Sequence, residues 1–159
     1  MNLFSKATIG LIVLCVQPAF AGNAVDMTGT WTGMAKNQIF PISEGHMVMR
    51  LQSDYAKFDG ATDGPMASMT GACFGSVELA VPALTGDGHC VFTDKNGDTM
   101  ASNWRATGMS KEGATIGEWT IVGGTGAYAN ATGGGAFHSL TNMETGAFQN
   151  KISGAMVMN

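Results

Sequence analysis

The sequence predicts an all-β fold, a single closed antiparallel barrel of eight strands. Gly, Asn and Asp interrupt the chain at intervals of roughly ten residues, as in short strands joined by turns. No stretch keeps a helical period for more than about two turns. Closing the sheet into a barrel would also remove exposed strand edges, which are sites of unwanted pairing with other chains.

Eight segments alternate between apolar and polar residues and end at turn-forming residues. Eight strands are enough to enclose an interior that is either filled by side chains or holds one small ligand. The expected strands are residues 27–35, 46–57, 66–80, 88–94, 99–107, 114–122, 135–142 and 147–158.

Residues 1–21 have the features of a secretory signal peptide. Lys6 precedes an apolar run over residues 7–16, and Ala19-Phe20-Ala21 forms a small-residue cleavage site. The apolar run is too short to span a bilayer, which takes about 20 residues. We therefore expect an exported protein, periplasmic or secreted and not membrane-spanning, whose barrel domain comprises residues 22–159.

The barrel domain opens with Met27-Thr28-Gly29-Thr30-Trp31, which is similar to the G-x-W start of avidins and lipocalins. Those proteins are also β-barrels. A calycin or avidin-like barrel is therefore the alternative fold.

Methionines occur in alternating pairs, in His46-Met47-Val48-Met49 and in Met156-Val157-Met158. Two thioethers on one strand face, with a nearby imidazole, are ligand types that suit Cu(I). Methionine also fills irregular gaps in cores and cavities, which is the simpler interpretation. The sequence predicts no cofactor and no other metal site. The acidic loop at Asp94–Asp98 is not a calcium loop, because it lacks the required glycine position and the distal glutamate.

Two cysteines, Cys73 and Cys90, lie in the expected barrel domain. An even number of cysteines in an exported protein indicates a disulfide. Both fall in expected strands joined by a short connection, so we expect a bridge between neighbouring strands. Two buried free thiols are the alternative.

The pair Asn96-Gly97 predicts a tight hairpin, since Asn-Gly is the favoured sequence of a type I′ turn. That turn fixes which residues of the two strands lie opposite each other. The opposed pairs would be His89 with Trp104, Cys90 with Asn103 and Val91 with Ser102. Continuing through a turn near Ser110-Lys111 brings Trp119 to the same face. We expect the tryptophan face to point inward, with Phe92, Asn103, Arg105 and Glu118 outside.

The candidate ligand-pocket residues are therefore His89, Trp104 and Trp119. An imidazole between two indoles could act as a general acid or base, or could hydrogen-bond a ligand. A structural histidine at the barrel rim is the alternative. The sequence shows no recognisable Ser/His/Asp arrangement, so the catalytic residues stay unknown.

The segment Gly124–Phe137 has the form G-T-G-x-Y-x-x-A-T-G-x-G-x-F and resembles a segment of allene oxide cyclase and dirigent-like β-barrels. The strand Gly88–Asp94 adds weaker support. This resemblance implies a small eight-stranded barrel with a central apolar cavity, often trimeric. Some members of that superfamily are cyclases and others steer radical coupling. No catalytic residue of the superfamily aligns to a position in this chain.

The charge distribution excludes nucleic acid as a partner. The chain has eight Lys and Arg, including Lys6 of the leader, against twelve Asp and Glu, so it cannot build a basic patch. We expect a protein that binds a small apolar or aromatic ligand in its barrel. One alternative is a cyclase or isomerase using His89 and Glu118, and another is a periplasmic Cu(I)-binding protein. A homo-oligomer, trimeric by resemblance, is a further expectation.

Overall fold

A computed structural model describes residues 23–61 and 64–158. Two short 3-10 helices, Pro65–Ser68 and Gly126–Tyr128, lie between strands. The strands within these ranges are β1 (Asn23–Asp26), β2 (Gly29–Ala35), β3 (Gln38–Ser43), β4 (His46–Gly60), β5 (Thr70–Ala80), β6 (Ala83–Thr93), β7 (Thr99–Met109), β8 (Thr115–Gly124), β9 (Thr132–Thr141) and β10 (Ala147–Met158).

The strands form a closed antiparallel barrel, which confirms the fold class expected from the sequence. Eight strands follow one another around the wall in the order β10, β2, β4, β5, β6, β7, β8, β9, and β9 pairs back with β10. The two remaining strands lie off this cycle. β1 pairs with the end of β10, and β3 pairs with the beginning of β4.

Several element boundaries differ from the expected ones. The first expected strand is replaced by β1 and β2, and β3 was not expected. Residues 65–68 form a 3-10 turn instead of the start of a strand. β6 begins at Ala83 and not at residue 88, because the Val81-Pro82 pair, joined by a cis peptide bond, makes a tight turn that sets Ala80 opposite Ala83.

The expected register of the β6–β7 hairpin was wrong by one residue. The Asp94 carboxylate accepts hydrogen bonds from the backbone N–H of Asn96 at 2.8 Å and of Asp98 at 3.0 Å. Among non-glycine residues of the described chain none has a positive φ, whereas Gly97 has φ 88°. The loop is therefore a three-residue turn ending in a glycine bulge, since a type I′ turn needs positive φ at both central residues.

This shift changes which side chains of β6 point inward, because neighbouring residues of a strand face opposite sides. His89 lies opposite Asn103, Cys90 opposite Ser102 and Gly88 opposite Trp104. Consequently Cys90 and Phe92 are buried inside the barrel, whereas His89 and Val91 are on the outer face. Trp104 and Trp119 point inward as expected, since both line the interior of the barrel.

The expected disulfide is present. Cys73 and Cys90 lie directly opposite each other on β5 and β6, with their Cα atoms 4.0 Å apart, and their sulfurs are bonded. Both side chains face the interior and are 8% exposed.

The predicted signal peptide, residues 1–21, lies outside the described residues. Across the part of the chain that the structure describes, no helix is long and apolar enough to cross a membrane.

Candidate functional site

Aromatic rings line the inner wall of the barrel by lying over glycines of the neighbouring strand. If Gly88 carried a Cβ, that atom would lie 2.5 Å from Cζ2 of Trp104, so the indole occupies the space of the missing side chain. Glycine within a strand permits such a close approach. The cross-strand pairs of this kind are Gly33 with Phe148, Gly71 with Phe92, Gly88 with Trp104 and Gly117 with Phe137.

The rings that lie along the wall leave a cavity of about 450 Å³ inside the barrel. Of its well-exposed apolar lining residues, Phe74 lies within β5, whereas Ile39, Met109 and Met143, with exposed fractions of 46%, 41% and 56%, lie at the end where β4 begins and β7 ends. The cavity therefore opens at that end. At the opposite end Met27 and Met66 are buried and close the barrel.

Packed aromatic side chains form the floor of the cavity. The ring of Trp31 stacks on Phe92 with centroids 5.2 Å apart and meets Tyr55 edge-on at 5.6 Å. Phe148 lies against Tyr55, with a centroid distance of 4.7 Å. Such contacts fix the position of the Tyr55 ring.

The cavity contains a small set of neutral polar groups. Asn150 Nδ2 donates a hydrogen bond of 2.9 Å to the Tyr55 hydroxyl. Asn150 is 8% exposed, and its Oδ1 has no hydrogen-bond partner. The buried indole N–H of Trp104 also has none.

The described lining residues include no Asp, Glu, Lys, Arg or His. Cys73 and Cys90 form the disulfide, which leaves Tyr55 as the titratable side chain among them. Burial raises the pKa of Tyr55 to about 12, although its hydrogen bond with Asn150 acts in the opposite direction. The site is therefore uncharged at neutral pH.

The structure brings two of the three predicted pocket residues together. Trp104 and Trp119 lie opposite each other on β7 and β8, and both line the cavity. Trp119 donates its indole N–H to the carbonyl oxygen of Ser153 at 3.2 Å, so this ring reaches across β9 to β10. Gly135 on β9 lies opposite Trp119.

His89 does not join this site. It is exposed on the outer face of β6, where its ring centroid lies 6.0 Å from that of Phe74. Glu118 is also exposed, opposite Arg105. The position of His89 differs from the expected one because the three-residue turn shifts the register of β6 by one residue, whereas Glu118 lies outside as expected, next to the inward Trp119.

The residues considered for copper are also separated. His46 Nε2 lies 2.7 Å from the Glu78 carboxylate on the outer face of β4. Met47 and Met49 face inward at the open end of the cavity. Met156 pairs with Gly133 at the opposite end of the barrel, so the two methionine pairs do not meet.

Sequence analysis missed Tyr55 and Asn150. The available signal was parity, since Asn150 lies between Phe148 and Ile152 on alternate positions of one strand and is therefore an amide on an apolar face. Its contact with Tyr55, 95 positions earlier in the chain, depends on barrel closure.

Comparison with known proteins finds similarity at the level of structure. No family model matches the chain, and no curated protein matches its sequence. The pterocarpan synthase dirigent protein GePTS1 has a similar structure with a TM-score of 0.54 and 17% identity, over 97% of this chain and 98% of that one. The pterocarpan synthase dirigent protein PsPTS1 also has a similar structure, with a TM-score of 0.54 and 14% identity, over 86% of this chain and 96% of that one.

This chain has the dirigent-like barrel fold. The fold expected from the segment Gly124–Phe137 is thereby confirmed, in preference to the calycin alternative.

In this dirigent-like barrel the glycine-rich segment lies at the closed end, away from the cavity mouth. The Ala127 N–H donates to the Asp98 carboxylate at 3.1 Å, and the Tyr128 hydroxyl donates to Asp94 at 3.3 Å. Gly126 has φ 50° and packs so closely on Asp98 that a Cβ would overlap its carboxylate. The segment therefore fastens the β6–β7 turn to the barrel.

Proposed function

We propose that this protein binds a small apolar or aromatic molecule inside its barrel. The observation that carries the proposal is the cavity of about 450 Å³, which is open at one end and has apolar, uncharged walls. This volume lies in the range of about 300–1,000 Å³ that is usual for small-molecule sites. A ligand there would exchange water for contact with indole, phenyl and thioether groups, which is favourable at roughly 25 cal/mol per Å² of apolar surface buried.

The chemistry of the walls favours binding over catalysis. A general acid or base works best with a pKa near the operating pH. Tyr55, with its pKa raised to about 12, stays protonated and can donate a hydrogen bond but not remove a proton at neutral pH.

The direct test is titration with the neutral fluorescent probe N-phenylnaphthylamine. Ser139 lines the cavity, and its neighbour Leu140 is exposed on the outer face of β9. Ser139→Trp fills the mouth and should weaken probe binding at least about tenfold, which corresponds to about 1.4 kcal/mol. Leu140→Trp adds an indole to the same strand outside the barrel and should bind as the wild type does.

Two results would overturn the proposal. One is a folded wild-type protein that gives no saturable probe fluorescence and no ligand in native mass spectra after incubation. The other is equal probe affinity in the Ser139→Trp and Leu140→Trp variants, which would place the probe outside the barrel.

A cyclase or isomerase of the allene oxide cyclase or dirigent type is the alternative, supported by the likeness in fold to the two pterocarpan synthase dirigent proteins. Because His89 and Glu118 lie outside, such a reaction would rely on neutral hydrogen-bonding groups in the cavity. Chromatography of an apolar host extract, before and after incubation, should then show a product that Tyr55→Phe abolishes and His89→Ala preserves.

A second alternative is Cu(I) binding by thioethers at the cavity mouth, where Met47, Met49, Met109 and Met143 all line the opening. Cu(I) titration should then saturate at a defined stoichiometry. The double variant Met47→Leu, Met49→Leu should abolish it, and His46→Ala should not, because His46 is held by Glu78 on the outer face.

We also propose export of the chain and removal of residues 1–21, which is consistent with the Cys73–Cys90 disulfide. The intact mass of protein from its own host tests this. Light scattering during gel filtration tests the proposed homo-oligomer, with a trimer as the expected state.

A further inference from the structure

Three polar atoms of cavity-lining residues have no hydrogen-bond partner among the described residues. They are Asn37 Oδ1, Asn150 Oδ1 and Trp104 Nε1, and all three are buried. A buried polar group without a partner costs about 1–3 kcal/mol. Native proteins keep few such groups, and those they keep often have a functional role.

The Tyr55–Asn150 pair offers a donor and an acceptor side by side. The Tyr55 oxygen accepts the amide hydrogen of Asn150, so its own hydroxyl proton is available for another acceptor. Asn150 Oδ1 is available for another donor. A ligand hydroxyl both donates and accepts, and so complements this pair. Trp104 Nε1 adds a donor elsewhere on the wall.

The same wall disfavours ionised ligands. Burying an unpaired charge costs far more than burying a neutral polar group. The described lining has no cationic or anionic side chain that could pair with a ligand charge. The lone pairs of Asn150 Oδ1 would also repel a carboxylate placed next to the Tyr55 hydroxyl.

We propose that the cavity selects uncharged apolar ligands that carry a hydroxyl group, which binds between Tyr55 and Asn150. This inference rests on the proposed binding function and adds the chemical class of the ligand. It names the Tyr55–Asn150 pair as the element that distinguishes a hydroxyl-bearing molecule from a hydrocarbon of the same size.

The test compares naphthalene, naphthalenemethanol and naphthoate as competitors of bound N-phenylnaphthylamine. The wild type should bind naphthalenemethanol about tenfold more tightly than naphthalene, because the alcohol adds a hydrogen bond to a buried group that otherwise has no partner. Naphthoate should bind more weakly than either. Asn150→Leu should lose the preference for the alcohol while keeping its affinity for naphthalene.

Two further variants complete the experiment, one as a second test of the pair and one as a control. Tyr55→Phe removes only the hydroxyl from a packed ring, so it tests the same pair if Asn150→Leu does not fold. Asn103→Leu makes the same substitution on the outer face of β7 and should keep the wild-type preference.

The outcomes separate this inference from the function on which it rests. If the dye and naphthalene bind but the alcohol binds no more tightly, the inference is wrong and the binding function stands. If the preference persists in Tyr55→Phe and Asn150→Leu, or if naphthoate binds most tightly, the inference is also wrong. If neither the dye nor any competitor binds, both fail.

Discussion

Replacing Gly88 by Ala tests whether the rings along the barrel wall need the glycines beneath them. The new Cβ would lie 2.5 Å from Cζ2 and 2.6 Å from Cε2 of Trp104, and closer still to the carbonyl oxygen of Phe74. Distances below 3.0 Å require atoms to move. The backbone carbonyl is held in the β5–β6 ladder, and Phe137 meets Trp104 edge-on at 6.4 Å.

The structure also supplies a matched control. Gly108 lies in β7, has an ordinary φ, and its added Cβ would meet Ile116 at 3.8 Å, which is normal contact. Overpacking a core typically costs about 1–3 kcal/mol. A tolerated Gly→Ala change gains about 0.4–1 kcal/mol from the unfolded chain. Both variants share this gain, so it cancels in the comparison, and we expect Gly88→Ala to be less stable than Gly108→Ala by about 1–3 kcal/mol.

Urea denaturation followed by far-ultraviolet circular dichroism measures this difference, with tryptophan fluorescence as a second probe. Affinity for N-phenylnaphthylamine should fall in Gly88→Ala and not in Gly108→Ala, because the displaced indole moves into the cavity. Equal unfolding midpoints for the two variants would refute the reasoning, since the ring would then not depend on the missing side chain.

Three further predictions concern the disulfide and the titratable groups. Replacing Cys73 and Cys90 by Ala should lower the free energy of unfolding by about 2–4 kcal/mol while the barrel still forms, since the bridge closes a loop of 17 residues; two free thiols in the denatured, unreduced wild type would contradict this. Burial raises the pKa of Tyr55 and of Tyr128 to about 12, so phenolate absorbance should appear near pH 12, and stability should fall as the pH rises from about 10 to about 12. Desolvation raises the pKa of Asp94, but the hydrogen bonds that its carboxylate accepts outweigh this and hold the pKa below its usual value. The stability that these hydrogen bonds contribute is present above about pH 4 and is lost as the pH falls through the lowered pKa of Asp94. The urea midpoint of Asp94→Asn should therefore depend less on pH in that window than the wild-type midpoint does.

The barrel, the disulfide and the inward tryptophans could be predicted because they depend on local patterns. Alternation of apolar residues gives strands, and turn residues separate them. The cysteine spacing then places Cys73 and Cys90 on adjacent strands. The resemblance carried by Gly124–Phe137 added the closed barrel.

The register of β6 could not be predicted because two turn types compete for the same residues. Asn96-Gly97 favours a two-residue loop, but hydrogen bonds to the Asp94 carboxylate stabilise a three-residue loop. A change of one residue exchanged the inner and outer faces and removed His89 from the site. Long-range contacts such as Tyr55 with Asn150 need the closed barrel before they can be identified.

The relation between glycine and aromatic residues explains why this barrel has a cavity at all. The interior of an eight-stranded barrel is just wide enough for its side chains to fill. This chain has three Trp and eight Phe, yet about 450 Å³ stays open. Rings such as Trp104 and Phe137 take the space above Gly88 and Gly117 and so leave the barrel axis free. It follows that these glycines set the volume of the cavity: a larger residue at such a position would push a ring into the space that the ligand needs.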